Sequence, residues 1–200
     1  MAVGSCATRA RESSQGRKAA ALSGTSGVPQ ITWPPLLRTG VALFGSNLRK
    51  VNDHQLMTAA LEQAQKAFAV GEVPIGAVVA VNGEIIGAGH NERQASNDPT
   101  AHAEVLALRR AAQHQDDWRL AEATLVVTLE PCPMCAGAAW ASRIGRVVFG
   151  AANMEAGALG SLLHVGADPR LNHEFPVTGG VQAEACAALL ATFFNQLRQP

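Results

Sequence analysis

The run from Ile75 to Val81 is apolar along its length, meets Asn82-Gly83, and returns through Glu84-Ile-Ile-Gly87. Asn-Gly between two such runs is the strongest short hairpin signal, since both residues accept the positive φ that a tight two-residue turn needs. Two antiparallel strands are therefore expected here. Around them helix and strand signals alternate. Met57, Ala60, Leu61, Ala64 and Phe68 recur at three- and four-residue steps behind Asp53, a residue able to cap a helix start, and Gly71 and Pro74 end that helix. A polar loop over 91–100 leads into a second helix over 101–113, which starts at His102 and carries Val105, Leu106 and Leu108. A buried-looking strand over 124–129 passes through a Pro-Cys turn into a third helix reaching about Ser142, and Arg146 to Gly150 reads as another strand. Residues 151–169 read as a loop or short helix, and 174–178 as one more short strand. Cys186, Leu189, Leu190, Phe193, Phe194 and Leu197 make the stripe of a last helix lying on a core. The order α-β-β-α-β-α-β implies an α/β fold, a sheet covered by helices on both faces.

At 200 residues and 48% hydrophobic, the chain can bury one ordinary core, so one domain with an appendage is expected. The formal charge of zero conceals an asymmetry. Residues 1–50 carry seven Lys and Arg against Glu12 alone, whereas 51–200 carry nine bases and fifteen acids. The first fifty residues, with Trp33-Pro-Pro35 and no sustained period, read as a disordered extension, and 51–200 as the folded domain. Such an Arg- and Ser-rich, acid-poor segment fits an organelle transit peptide loosely; a dispensable tail, or a start nearer Met57, is the plainer alternative. An acidic body does not advertise nucleic-acid binding through net charge, although a local patch can exist. Four cysteines, at 6, 132, 135 and 186, do not form the dense pattern of a secreted disulfide scaffold, which points to a reducing, cytoplasmic setting. No apolar stretch reaches eighteen residues, so no membrane-spanning helix is expected.

The chemistry is concentrated in His102-Ala-Glu104 and Pro131-Cys-Pro-Met-Cys135, each where the chain enters a helix. Two thiolates three positions apart in one turn can grip one ion, and His102 completes three protein ligands of the kind Zn²⁺ takes. A fourth position is then left for water, which separates a catalytic zinc from a structural one. Helix N-termini suit these ligands because their positive end favours thiolates. Glu104, two residues beyond His102, is spaced to sit beside the ion and to move protons between water, a ring nitrogen and a departing amine. This His-x-Glu with Pro-Cys-x-x-Cys signature is already described for zinc base deaminases, tRNA adenosine deaminase among them.

Beyond these residues the chain resembles the bacterial tRNA-specific adenosine deaminase family from Asp53 to about Arg198. The blocks are Glu72-Val-Pro-Ile-Gly-Ala-Val78, Asn97-Asp-Pro-Thr-Ala-His-Ala-Glu104, Thr128-Leu-Glu-Pro-Cys-Pro-Met-Cys-Ala-Gly-Ala138, Ser142 to Ala151, Gly157 to Leu162, Leu171-Asn-His173 and Glu184 to Leu190. The resemblance implies hydrolysis of adenosine to inosine at the wobble position of a tRNA anticodon. It further implies one zinc per subunit, a homodimer that takes the tRNA anticodon arm, and a three-layer α/β/α cytidine-deaminase-like fold with a mixed five-stranded sheet. Asn91 is similar to the residue that holds the flipped base. The chain departs from the family in one loop. An Asp followed by a Lys is usual after Phe149-Gly-Ala151, in a loop that contacts nucleic acid in relatives, and here Ala152, Asn153, Met154 and Glu155 stand there.

The ligand set alone fits a deaminase of free guanine, cytosine or adenine equally well, and a zinc-stabilised RNA-binding module without catalysis is a third reading. Cys186 in the last stripe and Cys6 in the extension are expected to be inert, and Phe193 and Phe194 to lie in the core, with stacking of one of them on a base near the pocket as the alternative. Of the remaining histidines, His173 has the best claim to substrate contact.

Overall fold

A computed structural model of the chain describes residues 52–199. The expected extension and Cys6 lie outside the described residues. Helix α1 (Asp53–Ala69) precedes strands β1 (Gly76–Val81) and β2 (Glu84–His90), a one-turn helix α2 (Arg93–Ser96) and helix α3 (Ala103–Gln115). Strand β3 (Ala123–Leu129), helix α4 (Pro133–Ala141), strand β4 (Arg146–Ala151), a 3₁₀ turn (Val165–Ala167), strand β5 (Val177–Thr178) and helix α5 (Ala183–Leu197) complete the order.

The five strands run β2-β1-β3-β4-β5 across one sheet. The first three are antiparallel to their neighbours, whereas β3, β4 and β5 are parallel, so the sheet is mixed as the resemblance implied. The hairpin follows from its turn, with Asn82 and Gly83 both at positive φ. Central β1 is apolar because both its faces are covered. Ala77 and Val79 point into the core beneath α3 and α4 with Leu125, Val127 and Val147, while Val78 and Ala80 join Leu56, Met57, Ala60, Val126 and Val148 on the side of α1 and α5. Three layers result. Helix α3 lies close on β2, where a Cβ on Gly89 would strike the backbone of Ala103 and Ala107.

Several local expectations need correction. Asp53 is not the cap of α1: Asn52 accepts from the Gln55 N–H and the Gln55 side chain accepts from the Asn52 N–H, a capping box, while Asp53 forms a two-pronged pair with Arg146. The loop over 91–100 contains a helical turn because the Glu72 carboxylate, from another part of the chain, accepts the N–H groups of Gln94 and Ala95. Strand β5 is shorter than 174–178, since Pro176 has no N–H to give a ladder and pairs only through its carbonyl with Val147. The stripe of α5 is narrower than its spacing suggests. Phe193 is buried and meets Phe68 edge-on, but Phe194 is 44% exposed and Leu197 67%.

Candidate active site

Strand order determines where the chemistry gathers. Beyond the C-terminal end of β3 the chain turns into α4, and the preceding crossover brings the start of α3 alongside. His102 occupies the N-cap position of α3 and Cys132 that of α4, both with extended backbone, and Pro133 follows as the first residue of α4, where a missing N–H costs nothing. The His102 Nδ1 atom stands 3.9 Å from the Cys132 sulfur and 3.5 Å from that of Cys135. All three ligand atoms lie within 4.8 Å of one another. Nitrogen and sulfur atoms bound tetrahedrally to one zinc at ordinary bond lengths stand roughly 3.5–4 Å apart, and both His102–sulfur separations match that range. Among the described residues no other group of this kind occurs.

The electrostatics agree with the geometry. A hydrogen bond from the Cys135 thiol, against the opposing effect of burial and with help from His102, lowers Cys132 to about 4, so this sulfur is held as a thiolate. The same bond, together with burial, pushes Cys135 up. The contact with Cys132 raises His102 against the desolvation of its ring. Glu104, in the first turn of α3, is buried, and its Oε2 has no hydrogen-bond partner among the described residues. Burial pushes its carboxyl up despite the nearby imidazole. An unpaired buried carboxyl is costly, and no hydrogen bond among the described residues offsets that cost at Oε2.

Asn91 is also buried, and its Oδ1 accepts the Ala103 N–H at 3.1 Å. That bond ties the amide to Ala103, which lies between His102 and Glu104 in the chain, and leaves its NH₂ free to donate. His173 is placed elsewhere: its Nε2 donates to the carbonyl of Ile144, beyond the far end of α4 from Cys132. Its claim to substrate contact gives way to a structural one. Cys186 is buried against Met57, as expected of an inert thiol.

Two carboxylates near the site were given no role from sequence. Glu72 holds the turn that follows Asn91, and Glu130 lies fully buried just before Pro131-Cys132. Glu130 is desolvated, yet hydrogen bonds from the Ser161 hydroxyl and the N–H groups of Asn153, Ser161 and Leu159 hold its carboxyl below the ordinary range. A charged residue closing an apolar strand was the one local sign of Glu130, and nothing near it in sequence marks the donors that hold it.

Residues 51–198 match the family model of the MafB19-like deaminases. The tRNA-specific adenosine deaminase of Haemophilus influenzae is 48% identical over 155 residues, covering 77% of this chain and 90% of that protein. The Bacillus subtilis protein of the same name is 47% identical over 147 residues, covering 74% and 91%. A solved structure from studies of A-to-I editing by tRNA:A34 deaminases at the wobble position superposes with a TM-score of 0.65 at 38% identity, covering 67% of this chain and 97% of that one. A guanine deaminase from Nitrosomonas europaea superposes at 0.59 with 27% identity, covering 82% and 94%.

Proposed function

Because the chain belongs to the MafB19-like deaminases, and among them to the tRNA-specific adenosine deaminases, we propose that it hydrolyses adenosine to inosine at the wobble position of tRNA anticodons. The observation that carries this reading is the buried, unpaired Glu104 carboxyl beside the His102, Cys132 and Cys135 donor set, in a chain nearly half identical to enzymes of that name. His102, Cys132 and Cys135 would hold one Zn²⁺ per subunit. When bound, zinc supplies a water made acidic enough to act as nucleophile near neutral pH.

Glu104 does the proton work. Its Oε2 takes the proton that the attacking water loses and passes it to the ring nitrogen next to the amine-bearing carbon; it then takes the second proton, from the hydroxyl added at that carbon, and passes it to the amine, which departs as ammonia as the carbonyl forms. A carboxyl pushed up by burial suits both directions of transfer, since it neither holds its charge too strongly nor gives up its proton too readily. Asn91, anchored by the Ala103 N–H, offers its amide NH₂ to the unstacked base. Substrate is an anticodon arm, whose loop exposes the target base at little unpairing cost.

The enzyme is proposed to work as a homodimer. Leu162 and Leu163 are 58% and 54% exposed, beside a hollow they line with Val165 and Pro169, and Met134 of the metal-bearing helix is also partly exposed. Exposed apolar groups of this density are the usual mark of an association surface. No helix among the described residues is long and apolar enough to cross a membrane, and the cytoplasm, where tRNA is matured, is the proposed location. Residues 51–200 form the deaminase domain, and 1–50 an extension to it.

A free-base deaminase is the second reading, favoured by the likeness to guanine deaminase and by the acidic body. Purified protein incubated with an anticodon stem-loop bearing a wobble adenosine, and separately with free guanine, adenine and cytosine, separates the two. Inosine in the stem-loop supports the proposal; ammonia from free bases alone overturns it.

A further inference from the structure

Glu130 has surroundings that the chemistry above does not use. Its Oε1 accepts the N–H groups of Leu159 and Ser161, both at 3.0 Å, and its Oε2 accepts the Asn153 N–H at 3.0 Å and the Ser161 hydroxyl. No Lys or Arg among the described residues forms an ion pair with it. A buried carboxylate without a counter-ion depends on such donors, and all four come from the loop after β4. Gly157 passes so close that a Cβ there would run into the carboxylate. The loop is thus wrapped on one side chain.

On its outer side the loop makes a turn, in which Asn153 Oδ1 accepts the N–H groups of Glu155 and Ala156 and leaves Met154 71% exposed. Glu155 also lines a shallow hollow with Phe194, Leu197 and Arg198. Exposed Met154 is the chain neighbour of Glu155, and the hollow that Glu155 lines sets the partly exposed Phe194 ring and one cation, Arg198, beside its carboxylate, a surface on which an unstacked base can lie. On its inner side the loop reaches the metal-holding turn, where the Ala158 N–H donates to the Pro131 carbonyl at 2.8 Å, one residue before Cys132. Glu130 stands between the two.

We propose that Glu130 is a positioning residue: its carboxylate fixes the Asn153–Ala156 turn relative to Cys132, and so sets where RNA flanking the target adenosine is received. This inference rests on the tRNA reading above. Glutamine in its place keeps the size but puts an amide nitrogen against the N–H groups of Leu159 and Ser161, or against that of Asn153. The expected result for Glu130→Gln is a KM for the anticodon stem-loop raised by roughly tenfold or more, with kcat within about threefold and zinc content unchanged. Ser161→Ala, which keeps the carboxylate and three of its donors, moves KM the same way by less. Val126→Ala, in the core on the α1 side, serves as a control for lost stability and leaves KM in place. Faster hydrogen exchange at Asn153, Leu159 and Ser161 in Glu130→Gln is expected whatever the substrate.

Wild-type KM in both Glu130→Gln and Ser161→Ala, or a KM shift that Val126→Ala shares at matched Tm, overturns the inference. If Glu130→Gln does not fold, the split between KM and kcat in Ser161→Ala decides. A wild-type protein silent on the stem-loop refutes the substrate reading instead; unchanged exchange in a folded Glu130→Gln refutes the fixed loop.

Discussion

Glu104 shows how placement at a helix start combines with burial to make one side chain reactive. It lies two residues past a ligand position, in the first turn of α3, and its unpartnered oxygen is cut off from water. Glu104→Gln should therefore lower kcat by roughly 10²–10⁴ while metal analysis of the purified protein still finds the wild-type zinc content; a variant that keeps its turnover would remove Glu104 from the mechanism. Cys186 shows the opposite outcome for a buried group. Burial pushes its thiol up to about 11, so near pH 8 the protonated, unreactive form dominates. Alkylation of the folded protein at that pH should leave Cys186 unmodified by peptide mass mapping, and denaturant should make it react. Its reactivity rises as pH climbs toward the folded value, not as pH falls.

At the scale of elements, the capping box on α1 is a separable contribution. Asn52→Ala removes the acceptor for the Gln55 N–H and should cost about 1 kcal/mol, read as a lowered Tm in thermal unfolding with stem-loop activity retained. Elements stabilised from within their own segment were legible in the sequence. Met57 to Phe68 gave α1 by spacing and Asn82-Gly83 gave the hairpin, because the forces that make them act within a few residues. The candidate metal donors were legible for the same reason, as Cys132 and Cys135 share one turn and His102 opens another. Helix α2 was not, since the group that forms it, Glu72, is 22 residues from Gln94. The cage of Glu130 draws on donors 23 to 31 residues downstream, and no local pattern marks it. Phe194 failed differently: helical spacing gives the face of α5 but not how far the layer beneath it extends, and that layer stops at Phe193 and Phe68.

For the molecule as a whole, the exposed apolar loop at Leu162 and Leu163 is the feature that a lone subunit leaves unaccounted for. Leu163→Glu should shift sedimentation from dimer to monomer, because a charge buried at an association surface carries a large desolvation cost; an unchanged sedimentation coefficient would place the contact elsewhere. The same loop continues from the one that Glu130 gathers, so the proposed substrate turn and association face lie on one stretch of chain, which the Ala158 N–H ties to the Pro131 carbonyl.

The central pair of strands has a consequence for how the molecule opens. Strands β1 and β3 are sealed by helices on both faces and flanked by partners on both edges, whereas β5 pairs through two residues at the rim. Opening free energies in such a sheet are graded, highest in the middle and lowest at the rim. The rim beside β4 can therefore breathe many times without disturbing the floor on which β3 delivers Cys132, and hydrogen exchange should run fastest at Val177 and Thr178 and slowest in β1 and β3.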